Sequence, residues 1–236
     1  MADGVDLFLD HYRAGHDTAV LVCPGFYQHR RMTRCRLIGS AVAAAGYDVL
    51  VLDLRGHGQS GGSYTFGLRE PDDVRRVLDR VRPQYRRLEI LGFSMGAAIA
   101  IHALARSRQA DGVLAVGAVA DPNLIRPWTI SWRDALRSCW NWRRGIRTFR
   151  SRTLPYGKPR ALDVVDRLSP IPMLFVHGAR DWLVQPKQSE LLYQRAGEPK
   201  QLRLIEGGRH AEELFDDDPD GFVRLCTEWF QRDEPP

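Results

Sequence analysis

The chain has 236 residues, of which 44% are hydrophobic and 27% are charged. This is an ordinary globular composition, and a single domain of this length can bury a large core. No run of 18 apolar residues is present, and the first residues lack the basic and apolar regions of a signal peptide. We therefore predict a cytoplasmic protein without stable membrane insertion. The four cysteines form no C-x-x-C pair and are interpreted as reduced, packed thiols.

The net charge of +5 comes from one segment of the chain. Residues 126–160 contain ten Lys or Arg and one acidic residue, Asp134, which gives this segment a charge of +9. The remainder has 24 basic and 28 acidic residues, and therefore a charge of −4. Because the basic residues are not spread over the chain, the composition predicts no nucleic-acid partner.

Apolar runs typical of strands alternate along the chain with stretches typical of helices. Strands are predicted over residues 5–11 (at an edge), 18–23, 47–54, 88–91, 112–120, 172–178 and 200–205. Helices are predicted over residues 32–45, 71–81, 97–101, 186–196 and 219–231. Most of the strands are apolar along their whole length, which is typical of strands that are covered on both faces. The pattern predicts an α/β fold with a mostly parallel central sheet and helices on both faces.

The connection between the strand over residues 88–91 and the next helix has the pattern G-x-S-x-G, with Ser94 at its centre. A strand, this pattern and a helix together are typical of a nucleophile elbow. Gly92 and Gly96 fit that turn, because a side chain at either position would clash with the adjoining strand or helix. Ser94 would then lie at a helix N-terminus, which favours a developing oxyanion. The alternative is a chance glycine-rich connection.

A serine hydroxyl needs a base to become a nucleophile, and histidine is the usual base near neutral pH. The best candidate among seven histidines is His210, which follows the last predicted strand on a glycine-bearing loop. Asp181 follows the preceding strand and is the candidate carboxylate that would orient the histidine. Asp121, at the end of the strand after the elbow, is the alternative. The chain order Ser94, Asp181, His210 is typical of this kind of sheet.

Four sequence pieces, LGFSMG, LDLRGHGQSGG, HGARDWLV and GGRHAEEL, together resemble the α/β-hydrolase superfamily over nearly the full length of the chain. The most similar members are serine esterases, lipases and thioesterases, including prolyl-oligopeptidase-like and serine-aminopeptidase-like branches. The resemblance implies that Ser94 is the nucleophile, Asp181 the acid and His210 the base. A serine nucleophile excludes the branches that use an aspartate, the epoxide hydrolases and haloalkane dehalogenases.

The resemblance also implies an oxyanion hole made of two backbone N–H groups. One belongs to Met95, which follows the nucleophile, and the other to Phe26, which follows the glycine after the first buried strand. Many relatives have His-Gly where this chain has Pro24-Gly25, so Tyr27 is the alternative second donor. Tyr27 and Trp182 are also candidates for contacting the substrate.

Residues 122–163 interrupt the alternation and carry four of the six tryptophans and nine arginines. They lie where α/β hydrolases carry a cap, so the resemblance implies a small cap within a single domain of residues 1–236. Trp128 and Trp132 are candidates for lining an acyl pocket, and the arginines for attracting an anionic leaving group or membrane surface. The alternative is that the tryptophans anchor the cap and the arginines form a solvated face.

Other polar residues are assigned to packing. His57 is expected to order the glycine-rich loop that follows the third strand, and His102 and His177 to be structural. Asp53 and Arg55 are expected to tie the same loop together through charge-assisted hydrogen bonds.

These patterns predict a serine hydrolase that cleaves a small-molecule carboxylic ester through an acyl-enzyme intermediate. A thioesterase or acyltransferase with the same triad is the alternative, and a peptidase or a non-catalytic binding protein are further ones. No cofactor and no metal are predicted, because the sequence has no His/Cys cluster with metal-ligand spacing. The oligomeric state is not determined by these patterns.

Overall fold

The computed structural model describes residues 3–125 and 157–232, which form a seven-stranded sheet with helices on both faces. The strands in chain order are β1 (Leu9–Tyr12), β2 (Thr18–Cys23), β3 (Asp48–Leu52), β4 (Arg87–Phe93), β5 (Gly112–Val116), β6 (Met173–Gly178) and β7 (Lys200–Ile205). Their order across the sheet is β1-β3-β2-β4-β5-β6-β7. β1 is antiparallel to β3, and the other neighbouring pairs are parallel. The predicted fold class is confirmed.

Two hydrophobic cores lie between the sheet and the helices, one on each face of the sheet. The helices are α1 (Thr33–Ala44), α2 (Glu70–Val81), α3 (Met95–Ser107), α4 (Lys187–Arg195), α5 (Glu213–Asp217) and α6 (Pro219–Phe230). Alternate residues of β2 face opposite sides, because Leu21 packs with α2 and α3 whereas Val20 packs with α1 and α6. None of the helices in the described part of the chain is both long and apolar enough to cross a membrane.

Three differences from the predicted elements have local causes. β5 ends at Val116 instead of residue 120, because Gly117 has φ of 59° and takes the chain out of the strand. β1 begins at Leu9 instead of residue 5. The chain before it bonds to a loop instead, with Gly61 N–H donating to Asp6 O at 2.8 Å. Helix α5 has five residues, which is too short for a helical period to be visible in the sequence.

The strand order changes direction at β2, because β3 lies on one side of it and β4 on the other. In sheets of this kind, ligands bind at the carboxyl ends of the strands where the order changes. The loop after β2 and the turn after β4 meet at this place. A Cβ atom added to Gly25 would lie 3.4 Å from Cβ of Ser94.

The turn after β4 is as sharp as the G-x-S-x-G pattern predicts. β4 ends at Phe93 and α3 begins at Met95, so that Ser94 alone connects them, with φ of 50° and ψ of −118°. A Cβ atom on Gly92 would lie 2.6 Å from Cα of Ala97. One on Gly96 would fall on the backbone carbonyl oxygens at the end of β2. Backbone atoms cannot move aside cheaply, so both glycines are required.

We predict that Gly96→Ala lowers the free energy of unfolding by about 1–3 kcal/mol or more, the usual cost of forcing atoms into a packed interior. The matched control is Gly61→Ala. Its added methyl group would meet Val5 at 3.4 Å, an ordinary contact distance, and its backbone φ is not positive. Urea denaturation of the two variants measures the difference. Equal stability of Gly96→Ala and Gly61→Ala would contradict the proposed clash.

Candidate active site

The three residues proposed as a triad lie in one chain of contacts at the carboxyl ends of β4, β6 and β7. Ser94 Oγ is 3.1 Å from Nε2 of His210, and Nδ1 of His210 is 2.6 Å from Oδ2 of Asp181. Ser94 follows β4 directly, whereas Asp181 and His210 lie on the loops after β6 and β7. Parallel strands bring these loops to the same edge although they are far apart in the sequence.

Asp181 is held in its ionised form by the groups around it. Its Oδ1 atom accepts hydrogen bonds from the backbone N–H groups of Leu183 and Val184, at 2.9 and 2.8 Å. Burial raises the pKa of Asp181, but hydrogen bonds from His177 and His210 outweigh burial, and the pKa falls to about 2. An ionised carboxylate only accepts, so Nδ1 of His210 carries a proton and Nε2 can accept one from Ser94.

His177 contacts the same carboxylate from another direction, which the sequence analysis did not anticipate. Its Nε2 atom is 2.8 Å from Val184 O and 3.0 Å from Oδ2 of Asp181. Both partners are acceptors, so Nε2 carries the proton. Nδ1 of His177 is 2.6 Å from Oγ of Ser189. The only signal in the sequence was the position of His177 at the end of a strand, four residues before Asp181.

His210 is a stronger base than an isolated histidine. Burial lowers its pKa, but the hydrogen bond and charge of Asp181, with the charges of Glu212 and Glu213, outweigh burial and raise the pKa above its ordinary value of 6.5. The ring of Trp182 lies edge-on to His210, with centroids 6.4 Å apart. Its Nε1 donates to Glu213 at 3.1 Å. Trp182 therefore borders the base, which is compatible with its proposed contact with substrate.

The alternative acid, Asp121, is engaged elsewhere. Its Oδ1 atom accepts hydrogen bonds from the backbone and side-chain amide groups of Asn123, at 2.9 and 2.8 Å. Its Oδ2 atom is 3.5 Å from the guanidinium of Arg160. The structure thus brings Asp181, and not Asp121, to His210.

The loop after β2 presents the candidate oxyanion donors beside Ser94. Gly25 O accepts from Gln28 N–H at 3.1 Å, which closes a four-residue turn with Tyr27 at φ of 66°. Tyr27 N–H donates to Nε2 of His57 at 3.3 Å. Because the Tyr27 donor is directed to His57, Phe26 is the better candidate for the second oxyanion donor. Met95 N–H, the first candidate, lies at the start of α3, where helical N–H groups have no partner within the helix.

His57 acts on this loop as a neutral hydrogen-bond acceptor. Its Nδ1 atom is 3.1 Å from Arg55 O, an acceptor, so Nδ1 carries the proton and Nε2 is available to Tyr27 N–H. Burial lowers the pKa of His57 to about 4, although the hydrogen bond to Arg55 partly opposes this. Asp53 also fits its expected role in the loop, because its carboxylate accepts from the N–H groups of Arg30 and Gln59.

Some predicted residues cannot be placed. Trp128, Trp132 and Cys139 lie outside the described residues, as does most of the predicted cap over 122–163. The other three cysteines are free and buried. Within residues 3–125 and 157–232, no group of three or more His, Cys, Asp or Glu side chains could hold a metal ion.

The sequence matches one family model and is similar to several known proteins. The family model described as serine aminopeptidase, S33, matches residues 14–156 and 156–218. The chain is 29% identical over 189 residues to the uncharacterized protein YqkD of Bacillus subtilis, covering 70% of this chain and 56% of YqkD. It is 29% identical over 182 residues to the uncharacterized protein YfhR of Escherichia coli, covering 72% of this chain and 55% of YfhR. The chain therefore spans little more than half the length of these relatives.

Solved structures share the fold at low sequence identity. The alpha/beta hydrolase GrgF from Penicillium sp. sh18 matches with a TM-score of 0.80 and 16% identity, over 98% of this chain and 95% of GrgF. The esterase Pf2001 of Pyrococcus furiosus matches with a TM-score of 0.75 and 20% identity, over 98% of this chain and 89% of the esterase. At these identities, the likeness concerns the fold.

We predict that His57 makes the fold less stable in acid, because its ring is neutral in the folded state. Its pKa is about 4 in the fold and 6.5 in an ordinary environment. Between these two pH values, the His57 ring is protonated in the unfolded chain but not in the folded one. The free energy of unfolding therefore falls as the pH drops from 6.5 towards 4. In His57→Gln, the decline in unfolding free energy between pH 7 and pH 5 should be smaller by about 2 kcal/mol.

Urea denaturation at the two pH values measures this decline. The control is His16→Gln, because His16 is exposed, and its decline should follow that of the wild type. Equal declines in the wild type and His57→Gln would contradict a neutral, buried His57.

Proposed function

We propose that this chain, which belongs to the serine aminopeptidase S33 family of the α/β-hydrolase superfamily, is a serine hydrolase of carboxylic esters. The family supports the reaction class, hydrolysis. The observation that supports a serine mechanism is the continuous contact from Ser94 Oγ through the His210 ring to the Asp181 carboxylate. An esterase among the structural neighbours supports the choice of esters.

In the proposed reaction, Nε2 of His210 takes the proton from Ser94 as Oγ attacks the acyl carbonyl carbon. Asp181, ionised and bonded to Nδ1, stabilises the imidazolium that forms. The carbonyl oxygen becomes an oxyanion, which the N–H groups of Met95 and Phe26 stabilise, at about 3 kcal/mol for each well-placed donor. The carbon–oxygen bond to the alcohol breaks as His210 returns the proton to the leaving oxygen. Water, deprotonated by His210, then releases the acid and restores Ser94.

The proposed substrate is a small molecule whose acyl part lies against Tyr27 and Trp182. Trp182 lies edge-on to His210, and Tyr27 lies on the loop after β2, which approaches Ser94 at Gly25. Both side chains are partly exposed. A cap over residues 122–163, within a single domain of residues 1–236, would complete the pocket, with Trp128 and Trp132 on its inner face.

Hydrolysis of a thioester, or transfer of the acyl group, uses the same attack on a carbonyl carbon. The basic segment 126–160 favours that second candidate, because its arginines suit a phosphate-bearing leaving group.

We expect Ser94→Ala and His210→Ala each to reduce kcat by about 10⁴-fold or more, as is usual when a member of a serine triad is removed. Turnover is measured with p-nitrophenyl esters of increasing chain length, and with acyl coenzyme A thioesters in parallel. The control is Ser40→Ala on the exposed face of α1, which should retain wild-type turnover. Equal rates in the wild type and Ser94→Ala would overturn the serine mechanism. Preference for the thioesters would favour the second candidate.

The raised pKa of His210 gives a prediction for the pH profile. The neutral form is the base, so activity is lost as the pH falls through the pKa of His210. We expect kcat/KM for a neutral ester to fall about tenfold per pH unit below an inflection that lies above 6.5. An inflection below 6.5 would show that burial outweighs the carboxylates around His210.

A further inference from the structure

A buried carboxylate lies between the loop of the base and the loop of the oxyanion donors. Glu212 follows His210 by two residues, and only 4% of its surface is exposed. Its Oε1 atom accepts a hydrogen bond from Gly25 N–H at 2.8 Å, although the two residues are 187 positions apart. The mechanism described above does not use Glu212. Burying a carboxylate is costly unless it is paired or hydrogen-bonded, so the partners of Glu212 matter.

The contact with Gly25 lies at the start of the oxyanion loop. Pro24 has no N–H group, so Gly25 provides the first backbone donor after β2. The Pro24–Gly25 peptide is held by the hydrogen bond from Gly25 N–H to Glu212, and the Gly25–Phe26 peptide by the hydrogen bond from Gln28 N–H to Gly25 O. The two hydrogen bonds thus hold the peptides on both sides of the Gly25 Cα atom. These two bonds restrict the rotation of the peptide that carries Phe26 N–H. The orientation of the second oxyanion donor therefore depends on Glu212.

Glu212 also leaves no room for a side chain at position 25. A Cβ atom there would lie 2.9 Å from Oε1 and 3.3 Å from Oε2 of Glu212, and 3.4 Å from Cβ of Ser94. The carboxylate, the loop and the nucleophile are thus packed against one another. A displacement of Glu212 would be transmitted to the loop directly.

The charge of Glu212 acts on His210 as well. The charged groups around His210 are Asp181 from the loop after β6, Glu212 from its own loop and Glu213 at the start of α5, and all three raise its pKa. On the other side, Arg34 and Cys35 of α1 face Glu212. Burial raises the pKa of the Cys35 thiol, so it is neutral, and Arg34 is paired with Asp216.

We propose that Glu212 is a positioning residue, whose buried carboxylate fixes the oxyanion loop through the hydrogen bond from Gly25 N–H. Its charge acts in addition on His210, two residues away in the sequence. This inference rests on the proposed esterase function. It differs from a packing role because it predicts two separable effects, one from the hydrogen bond and one from the charge.

Two conservative variants separate these effects. In Glu212→Gln, the amide oxygen can still accept from Gly25 N–H, but the charge is lost. We expect kcat on the pH plateau to stay within about threefold of the wild type, and the acid inflection of kcat/KM to move to lower pH. In Glu212→Asp, the charge remains but is withdrawn by one methylene. We expect kcat to fall about tenfold to a hundredfold, with KM little changed and the inflection nearer to that of the wild type.

The control is Glu190→Gln on α4, where Glu190 is paired with Lys187 at the surface, away from the triad. Variants are compared per folded protein, after their unfolding midpoints have been measured. A lower midpoint without any change in kcat or in the inflection would mean that Glu212 only packs, and would overturn the proposal. So would identical pH profiles of Glu212→Gln and the wild type, or identical kcat of Glu212→Asp and the wild type.

NMR readouts that need no turnover distinguish failure of this inference from failure of the esterase function. The imidazole signals of His210 should titrate at lower pH in Glu212→Gln, and the Gly25 amide proton should move upfield in Glu212→Asp as its hydrogen bond lengthens. If wild type and Ser94→Ala hydrolyse esters equally while these shifts occur, the esterase function fails and the contact stands. If esters are cleaved through Ser94 and neither shift occurs, the role of Glu212 is overturned.

Discussion

The close approach of α3 to the end of β2 is the constraint on which the site depends. At Gly96 the helix lies directly against the carbonyl oxygens of Cys23 and Pro24, with no space for a side chain. The same approach forces Ser94 into a positive φ, a conformation that costs about 1–3 kcal/mol in a residue other than glycine. The buried sheet on either side offsets this cost. Because one packing contact sets both the elbow and the loop after β2, Ser94 and the candidate oxyanion donors are placed together.

The surroundings of two histidines, one buried and one partly buried, explain their different chemistry. His210 is surrounded by carboxylates, and their charges raise its pKa in spite of burial. His57 has a backbone carbonyl as its partner instead, and burial lowers its pKa to about 4. The first can therefore take up a proton during a reaction, whereas the second remains neutral and holds Tyr27 N–H. Burial acts in the same direction on both, and the neighbouring charges decide the outcome.

Local patterns were sufficient for most of the fold and for selecting Ser94, Asp181 and His210, which the structure brings into contact. Continuous apolar runs predicted parallel strands, and the bounds of β2 and β7 match those in the structure. G-x-S-x-G predicted the elbow, because the strain at Ser94 requires small neighbours in the sequence itself. Asp181 and His210 could be selected because parallel strands bring the loops at their carboxyl ends to one edge. The short helix α5 and the early end of β5 left no periodic signal.

The sequence by itself thus determined the α/β class, the elbow and a short set of candidate residues, since these follow from period, small residues and strand order. Only the tertiary structure decided between Asp181 and Asp121, directed Tyr27 N–H to His57, and brought Glu212 to Gly25. Each of these contacts joins loops from different strands. Their distances depend on how the strands are spaced and how the loops pack, and no local pattern of residues encodes that.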